Sequence, residues 1–226
     1  METKRNPKRF QCVKSLYIYS VDEKFLEIRE KIAAVFLRYG LKSVTMDDIA
    51  KELKISKKTL YKYVKDKNEL ILKVMQGQCD MEKAVLADAL TKGENAIEEL
   101  MIFSEILGQK LQQMNPSVHY DLEKYYPEAW SMFTAHKEDF ILGCVQQNIE
   151  RGMKEGIYRD NVNAEIVSKL YIQKIDCVFD PAVFPVGKFT FYQVHLELMR
   201  YHVRGIANEK GMEYLSKKIK KDHSKF

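Results

Sequence analysis

Residues 45–70 read TMDDIAKELKISKKTLYKYVKDKNEL, and the spacing of capping and apolar residues in this stretch decides the fold. Thr45 is placed to cap a helix, with Asp47 and Asp48 near its positive end. Met46, Ile49, Ala50 and Leu53 line one face of that short helix. Lys54 and Ile55 make a turn. Ser56 caps a second short helix that carries Leu60 and Val64 inward, and Asp66 caps a third that starts at Lys67. Two short helices joined by a tight turn, the second rich in lysine, form a helix-turn-helix. The first braces and the second faces the major groove. Lys57, Lys58, Thr59, Tyr61, Lys62 and Tyr63 fall on the outward side. From Lys54 to Lys67 there are six lysines and one acid. Lysine ammonium groups meet phosphates, and tyrosine donates to a phosphate or packs on a thymine methyl. The same residues could also serve as a plain solvated face.

Towards the N-terminus, Phe25, Ile28, Ile32, Val35, Phe36 and Tyr39 recur at three- and four-residue steps, which predicts a helix closed by Gly40. Residues 1–22 lack that period. They read as a basic arm (Lys4, Arg5, Lys8, Arg9, Lys14) that either tracks phosphates, packs through Leu16–Val21, or is a plain lead. Towards the C-terminus a long helix runs from Lys67 to about Leu90. Further helices are predicted near 95–114, 117–134, 136–155, 163–179 and 188–208, with a frayed basic end over 217–226. The expected units are 1–22 (arm), 23–66 (DNA-binding) and 67–226 (ligand binding and dimerisation).

Composition agrees with an all-α reading. Ten Gly and five Pro in 226 residues fall well below the usual share of about 12%, too few for the turns of a sandwich or barrel. Hydrophobic residues at 46% and charged residues at 31% suit a folded, water-soluble chain. No apolar run nears the ~18–20 residues of a membrane helix, so the expectation is a cytoplasmic protein with no membrane partner. The four cysteines are scattered, with no CxxC pair, and no metal site or cofactor is expected. Net charge is +5, and its distribution is uneven. Residues 1–80 hold 18 Lys and Arg against 11 acids, whereas the remainder holds 19 against 21. The basic excess points to a polyanion partner for the N-terminal third alone.

These features together resemble the DNA-binding domain of the tetracycline-repressor (TetR) family over residues 26–72. The resemblance rests on the Phe36-to-Gly40 helix end, TMDDIA at Thr45–Ala50, SKKTLYKYVKDK at Ser56–Lys67 and the following Glu69-Leu70. It implies a recognition helix over Ser56–Tyr63 and backbone-phosphate contacts at Thr45 and Lys67. It also implies a DNA contact at Tyr61, with Lys57 and Tyr63 facing bases or phosphates. Lys62 and Lys65 are further candidates for phosphate. The sequence departs from the family's usual pattern in having Lys54 and Lys58 where glycine is common. The resemblance also implies a helical ligand domain whose last two long helices form a dimer, with repression as the default.

The C-terminal residues fit that expectation. The helix near 188–208 carries one apolar stripe through Tyr192, Leu196, Met199, Val203 and Ile206. A second stripe runs through Phe191, Val194, Leu198 and Tyr201. A helix apolar on two faces needs two partners. With Ile166 and Leu170 of the preceding helix, the second stripe is the expected homodimer interface; a deeply buried helix within one chain is the alternative. Phe103, Tyr120, Tyr126, Trp130, Phe133, His136 and Phe140 form the candidate pocket for a small apolar or aromatic ligand. Aromatic residues at helical spacing also make ordinary core. None of the five histidines has an acid three residues before it, and GxSxG, Walker-type and HExxH motifs are lacking, so no catalytic residue is assigned. The expected protein is a ligand-responsive transcriptional regulator that binds double-stranded DNA, a near-palindromic operator, as a homodimer. The alternative is a helical adaptor or small-molecule-binding protein of the same fold without operator binding.

Overall fold

The computed structural model describes residues 23–222 and Phe226; the expected basic arm lies outside the described residues. The chain begins with α1 (Glu23–Tyr39), α2 (Met46–Glu52), α3 (Lys57–Leu60) and the long α4 (Lys67–Lys92). There follow α5 (Ala96–Gln112), α6 (Ser117–Tyr125), α7 (Pro127–Ala135), a π-helical turn (His136–Ile141) and α8 (Leu142–Lys154). The last three helices are α9 (Ala164–Phe179), α10 (Phe191–Ile206) and α11 (Glu209–Asp222). Among the described residues there is no strand, only isolated bridges between Tyr158 and Ala207 and between Val186 and Phe189. None of the described helices is long and apolar enough to cross a membrane.

Local chemistry sets the helix ends. Gly40 adopts φ +87°, and its N–H closes α1 on the Phe36 carbonyl at 2.9 Å. Thr45 and Asp48 form a reciprocal capping box on α2, Ser56 caps α3, and Asp66 caps α4. Asn95, Asn163 and Thr190 do the same for α5, α9 and α10.

Two apolar cores result. The first joins Ile32, Phe36, Ile49, Leu60, Leu70 and Ile71 from α1–α4 with Leu122, Tyr126 and Ala129 from α6 and α7. The second joins α5, α8, α9, α10 and α11 through residues such as Ile97, Ile149, Tyr171, Met199, Val203 and Leu215. Helix α4 enters both, with Leu70, Ile71 and Val74 in the first and Leu86 in the second.

Three elements differ from expectation. The helix expected over 117–134 is two helices. Pro127 starts the second, and Tyr126 before it takes non-helical dihedrals (φ −132°, ψ 66°), as a residue preceding proline tends to. The helix expected over 136–155 opens with the π-helical turn. There, buried His136 bonds Glu82 of α4 at 2.9 Å, and buried Lys137 bonds Asp176 of α9 at 2.5 and 2.7 Å. The C-terminal part expected to fray is instead helical to Asp222. Leu215 of α11 is buried, the Tyr214 hydroxyl donates to Glu98 at 2.7 Å, and Lys218 pairs with Glu98 at 2.6 Å. The backbone of α11 also passes so close to the Ile157 carbonyl that a Cβ on Gly211 would lie 2.1 Å from its oxygen.

Two stability predictions follow from this packing. Gly40→Ala places a Cβ 2.5 Å from Ser117 Oγ at a φ that L side chains avoid. Chemical denaturation is expected to show a loss of about 1–2 kcal/mol. His195 and His202 are buried, and desolvation pushes each pKa down to about 4. Unfolded imidazoles titrate near 6.5. The unfolded chain therefore binds protons that the folded chain refuses between those values. Stability is fully present above about pH 6.5 and falls as pH drops towards 4, which denaturation at stepped pH measures.

Candidate nucleic-acid interface

Helix α3 is short, but its turn continues beyond Leu60. Tyr61 N–H bonds Lys57 O at 3.1 Å, Tyr63 N–H bonds Leu60 O at 3.0 Å and Val64 N–H bonds Leu60 O at 3.3 Å. The expected Ser56–Tyr63 span is thus α-helical only over Lys57–Leu60 and turn-like afterwards. Ser56 Oγ accepts from Thr59 N–H at 3.1 Å and lies 2.8 Å from the Thr59 hydroxyl, so both hydroxyls belong to the cap. Leu60 and Val64 point into the core. This leaves Lys57, Lys58, Tyr61 and Lys62 together on the exposed side.

The lysines differ in freedom. Lys57 pairs with Asp47 of α2 at 2.9 Å, and the hydrogen bond and charge of that carboxylate raise its pKa. Among the described residues no acid pairs with the side chain of exposed Lys58, Lys62 or Lys65. The turn before α3 passes through Lys54 at φ +54°, the left-handed region usually held by glycine. The departure from the common glycine is therefore accommodated in the backbone itself.

Other expected contact residues have additional roles. Tyr63 is half-buried: its ring stacks on Phe25 with centroids 4.9 Å apart, and its carbonyl accepts from Lys73 Nζ at 2.6 Å. The Thr45 hydroxyl accepts from Asp48 N–H at 3.2 Å and donates to Asp48 Oδ2 at 2.6 Å; that donation and the one from Thr45 N–H at 2.9 Å hold the Asp48 pKa down. Half-buried Lys67 donates to the Lys42 carbonyl at 3.1 Å, and burial lowers its pKa.

A residue that sequence reading missed positions this loop. The buried Asp121 carboxylate of α6 accepts from Leu41 N–H at 3.1 Å, Lys42 N–H at 3.0 Å and Ser117 Oγ at 3.2 Å. Its partners Leu41 and Lys42 lie 80 and 79 residues away in the chain, and no local pattern signals such a contact.

The seven residues expected to line a pocket divide between the two cores and the surface. Tyr120 is exposed on α6. Tyr126, Trp130 and Phe133 pack on the first core, while Phe103 and Phe140 pack on the second. His136 is buried against Phe140 and Glu82. Aromatic periodicity there reports helix packing, because the two cores draw successive aromatics to opposite sides. A cavity of about 390 Å³ lies instead between α5, α10 and α11, with Met101, Ser104, Tyr192, Leu196 and Phe226 in its wall.

The residues expected at the dimer interface are mostly exposed or half-exposed. Ile166 and Leu170 face solvent on α9, and Tyr201 is 71% exposed on α10. Val194, Leu198 and Tyr201 border an open apolar groove of about 760 Å³ together with Val178, Phe184 and Phe189. Phe191 is partly turned inward, edge-to-face on Phe179 at 4.9 Å.

The comparisons with known proteins agree with this geometry. The family described as bacterial regulatory proteins, tetR family, matches residues 28–74. An uncharacterised HTH-type transcriptional regulator of Bacillus subtilis, YvaF, is 27% identical over 173 residues, covering 73% of this chain and 86% of the relative. The HTH-type transcriptional repressor KstR2 of Mycobacterium tuberculosis is 23% identical over 190 residues, covering 81% and 92%. Among solved structures, a TetR-family regulator of Agrobacterium tumefaciens superposes with a TM-score of 0.66 at 13% identity, covering 82% of this chain and 99% of that one. With α2 and α3 forming a helix-turn-helix, residues 28–74 of this chain match the tetR family of bacterial regulatory proteins.

Proposed function

We propose that this protein is a one-component transcriptional repressor that binds a near-palindromic operator as a homodimer and releases it on binding a small molecule. The observation that carries the reading is the exposed row Lys58, Tyr61 and Lys62, with no acid paired to either lysine among the described residues, held rigid by the Ser56 cap and the buried Leu60. Lys57 joins it once Asp47 yields to a phosphate, and Lys65, Lys67 and the capped N-terminus at Thr45 border it. Such a row meets the major groove and the phosphates beside it.

The dimer reading is supported by the apolar face of α9 and α10, where Ile166, Leu170, Val194, Leu198 and Tyr201 remain uncovered or half-covered in one chain. An apolar patch of this kind calls for a partner surface, and a second copy supplies the two-fold symmetry that a palindrome matches. The existence of two cores supports a division into a reading unit and an effector unit, with the start of α4 and residues of α6 and α7 contributing to the first core. The cavity between α5, α10 and α11 suits a small ligand that carries polar groups on an apolar body, because Met101, Tyr192 and Leu196 share its wall with Glu105, Gln109 and Lys218. Release then requires tighter ligand binding by the DNA-incompetent arrangement than by the competent one.

Selection of bound sequences from a random duplex pool is expected to enrich a palindrome with half-sites about one or more helical turns apart. Failure to enrich any sequence would overturn operator recognition. Lys58→Gln with Lys62→Gln is expected to lower the salt slope of DNA binding by about 1.8, at 0.9 per phosphate. Leu170 is 54% exposed in one chain, so Leu170→Glu should fold normally. It is expected to yield monomers by light scattering, because the dimer would bury an unpaired carboxylate. A persisting dimer would place the interface elsewhere.

A further inference from the structure

We propose that the α6 surface carries a second phosphate-binding patch, formed by Lys42, Tyr120, Lys124 and Tyr125, which grips the DNA backbone beside the site read by α3. This rests on the DNA-binding reading above and extends it to a helix outside the helix-turn-helix.

The patch consists of two lysine–tyrosine pairs. Lys42 Nζ donates to the Tyr125 hydroxyl at 2.9 Å and lies 4.0 Å from the ring centroid. Lys124 Nζ donates to the Tyr120 hydroxyl and lies 5.0 Å from the Tyr120 ring and 5.6 Å from the Tyr125 ring. The two rings stand edge to face, 6.4 Å apart. A phenol oxygen that accepts from an ammonium keeps its own O–H proton to donate, and the ammonium keeps further N–H groups. Each pair therefore offers a charged and a neutral donor side by side, which suits the adjacent oxygens of a phosphate. The rings also restrain the lysine stems, so less side-chain freedom is lost on binding.

Charge and position both favour DNA as the occupant. Among the described residues no acid pairs with Lys42 or Lys124. The buried Asp121 carboxylate is engaged by Leu41, Lys42 and Ser117, and the exposed Glu123 and Glu128 form no ion pair with either lysine. The patch is continuous with the expected phosphate contacts. Lys67 Nζ bonds the Lys42 carbonyl, and Thr45 follows three residues later. Duplex DNA presents about one charge per 1.7 Å of its axis, so a cationic strip that extends past Thr45 and Lys67 meets further phosphates. Tyr120, 49% exposed, contributes nothing to either core and has a role here.

The test uses the whole chain and a fluorescent random-sequence duplex, with anisotropy read over a sodium chloride series. Lys42→Gln with Lys124→Gln should weaken binding at low salt and reduce the log–log salt slope by about 1.8. Tyr120→Phe with Tyr125→Phe should weaken binding while keeping the slope, because neutral donors release no counterion. If the double glutamine variant keeps the wild-type slope while Lys58→Gln with Lys62→Gln lowers it, the patch is overturned and the reader stands. If the wild-type chain shows no salt-dependent duplex binding, the DNA reading fails and the patch fails with it. Should the double variant melt at lower temperature, Lys124→Gln alone decides. Among the described residues its ammonium contacts Tyr120 and Tyr125, and a slope reduced by about 0.9 supports the patch, whereas an unchanged slope overturns it.

Discussion

The structure depends on one apolar contact: Leu122, Tyr126 and Ala129 of α6 and α7 closing the core of α1–α4. Helix α1, two short helices and the start of α4 enclose little apolar surface by themselves, because small domains bury a smaller share of their surface. The N-terminal helices therefore take part of their core from α6 and α7. This ties the two together sterically. Any shift of α6 or α7 reaches Leu70, Ile71 and the helices they hold, and hence α3.

Asp121 adds direction to that tie. Its carboxylate accepts three hydrogen bonds at the junction of α1, the following loop and α6, two of them from backbone N–H groups. A buried carboxylate is costly unless its acceptor sites are filled, so the loop and α6 hold each other in register. The same register places Lys42 over Tyr125 and under Lys67. Packing thus sets the position of the helices, and the carboxylate sets the position of Lys42 and Lys67.

At the other end, α11 shows how a polar helix can be anchored. Its sequence is rich in lysine, and its buried apolar anchor is Leu215. Glu98 of α5, itself buried, accepts from Tyr214 and pairs with Lys218, and Lys218 also pairs with Asp222. These contacts lie 116 residues apart in the case of Tyr214 and Glu98. A basic C-terminal segment reads as frayed when that partner is out of view. The seven residues expected at a pocket divide between the two cores and the surface for a related reason, since one helix period serves a core and a cavity equally well, and the side each residue faces depends on neighbouring helices.

What the sequence alone determined is local. Helix ends at Gly40, Thr45, Ser56 and Asp66 follow from side chains that bond backbone groups within three or four residues, or from a glycine free to take positive φ. The inward Leu60 and the outward lysines follow from the 3.6-residue period. The likeness to the tetR family over these residues is legible for the same reason. Only the tertiary structure decided that Tyr63 stacks on Phe25, that Lys67 leans on Lys42, and that Asp121 joins α6 to the reader. Those outcomes arise between segments that are distant in the chain. They depend on which faces are left apolar or unpaired once every helix has formed, and that is a property of the assembled packing.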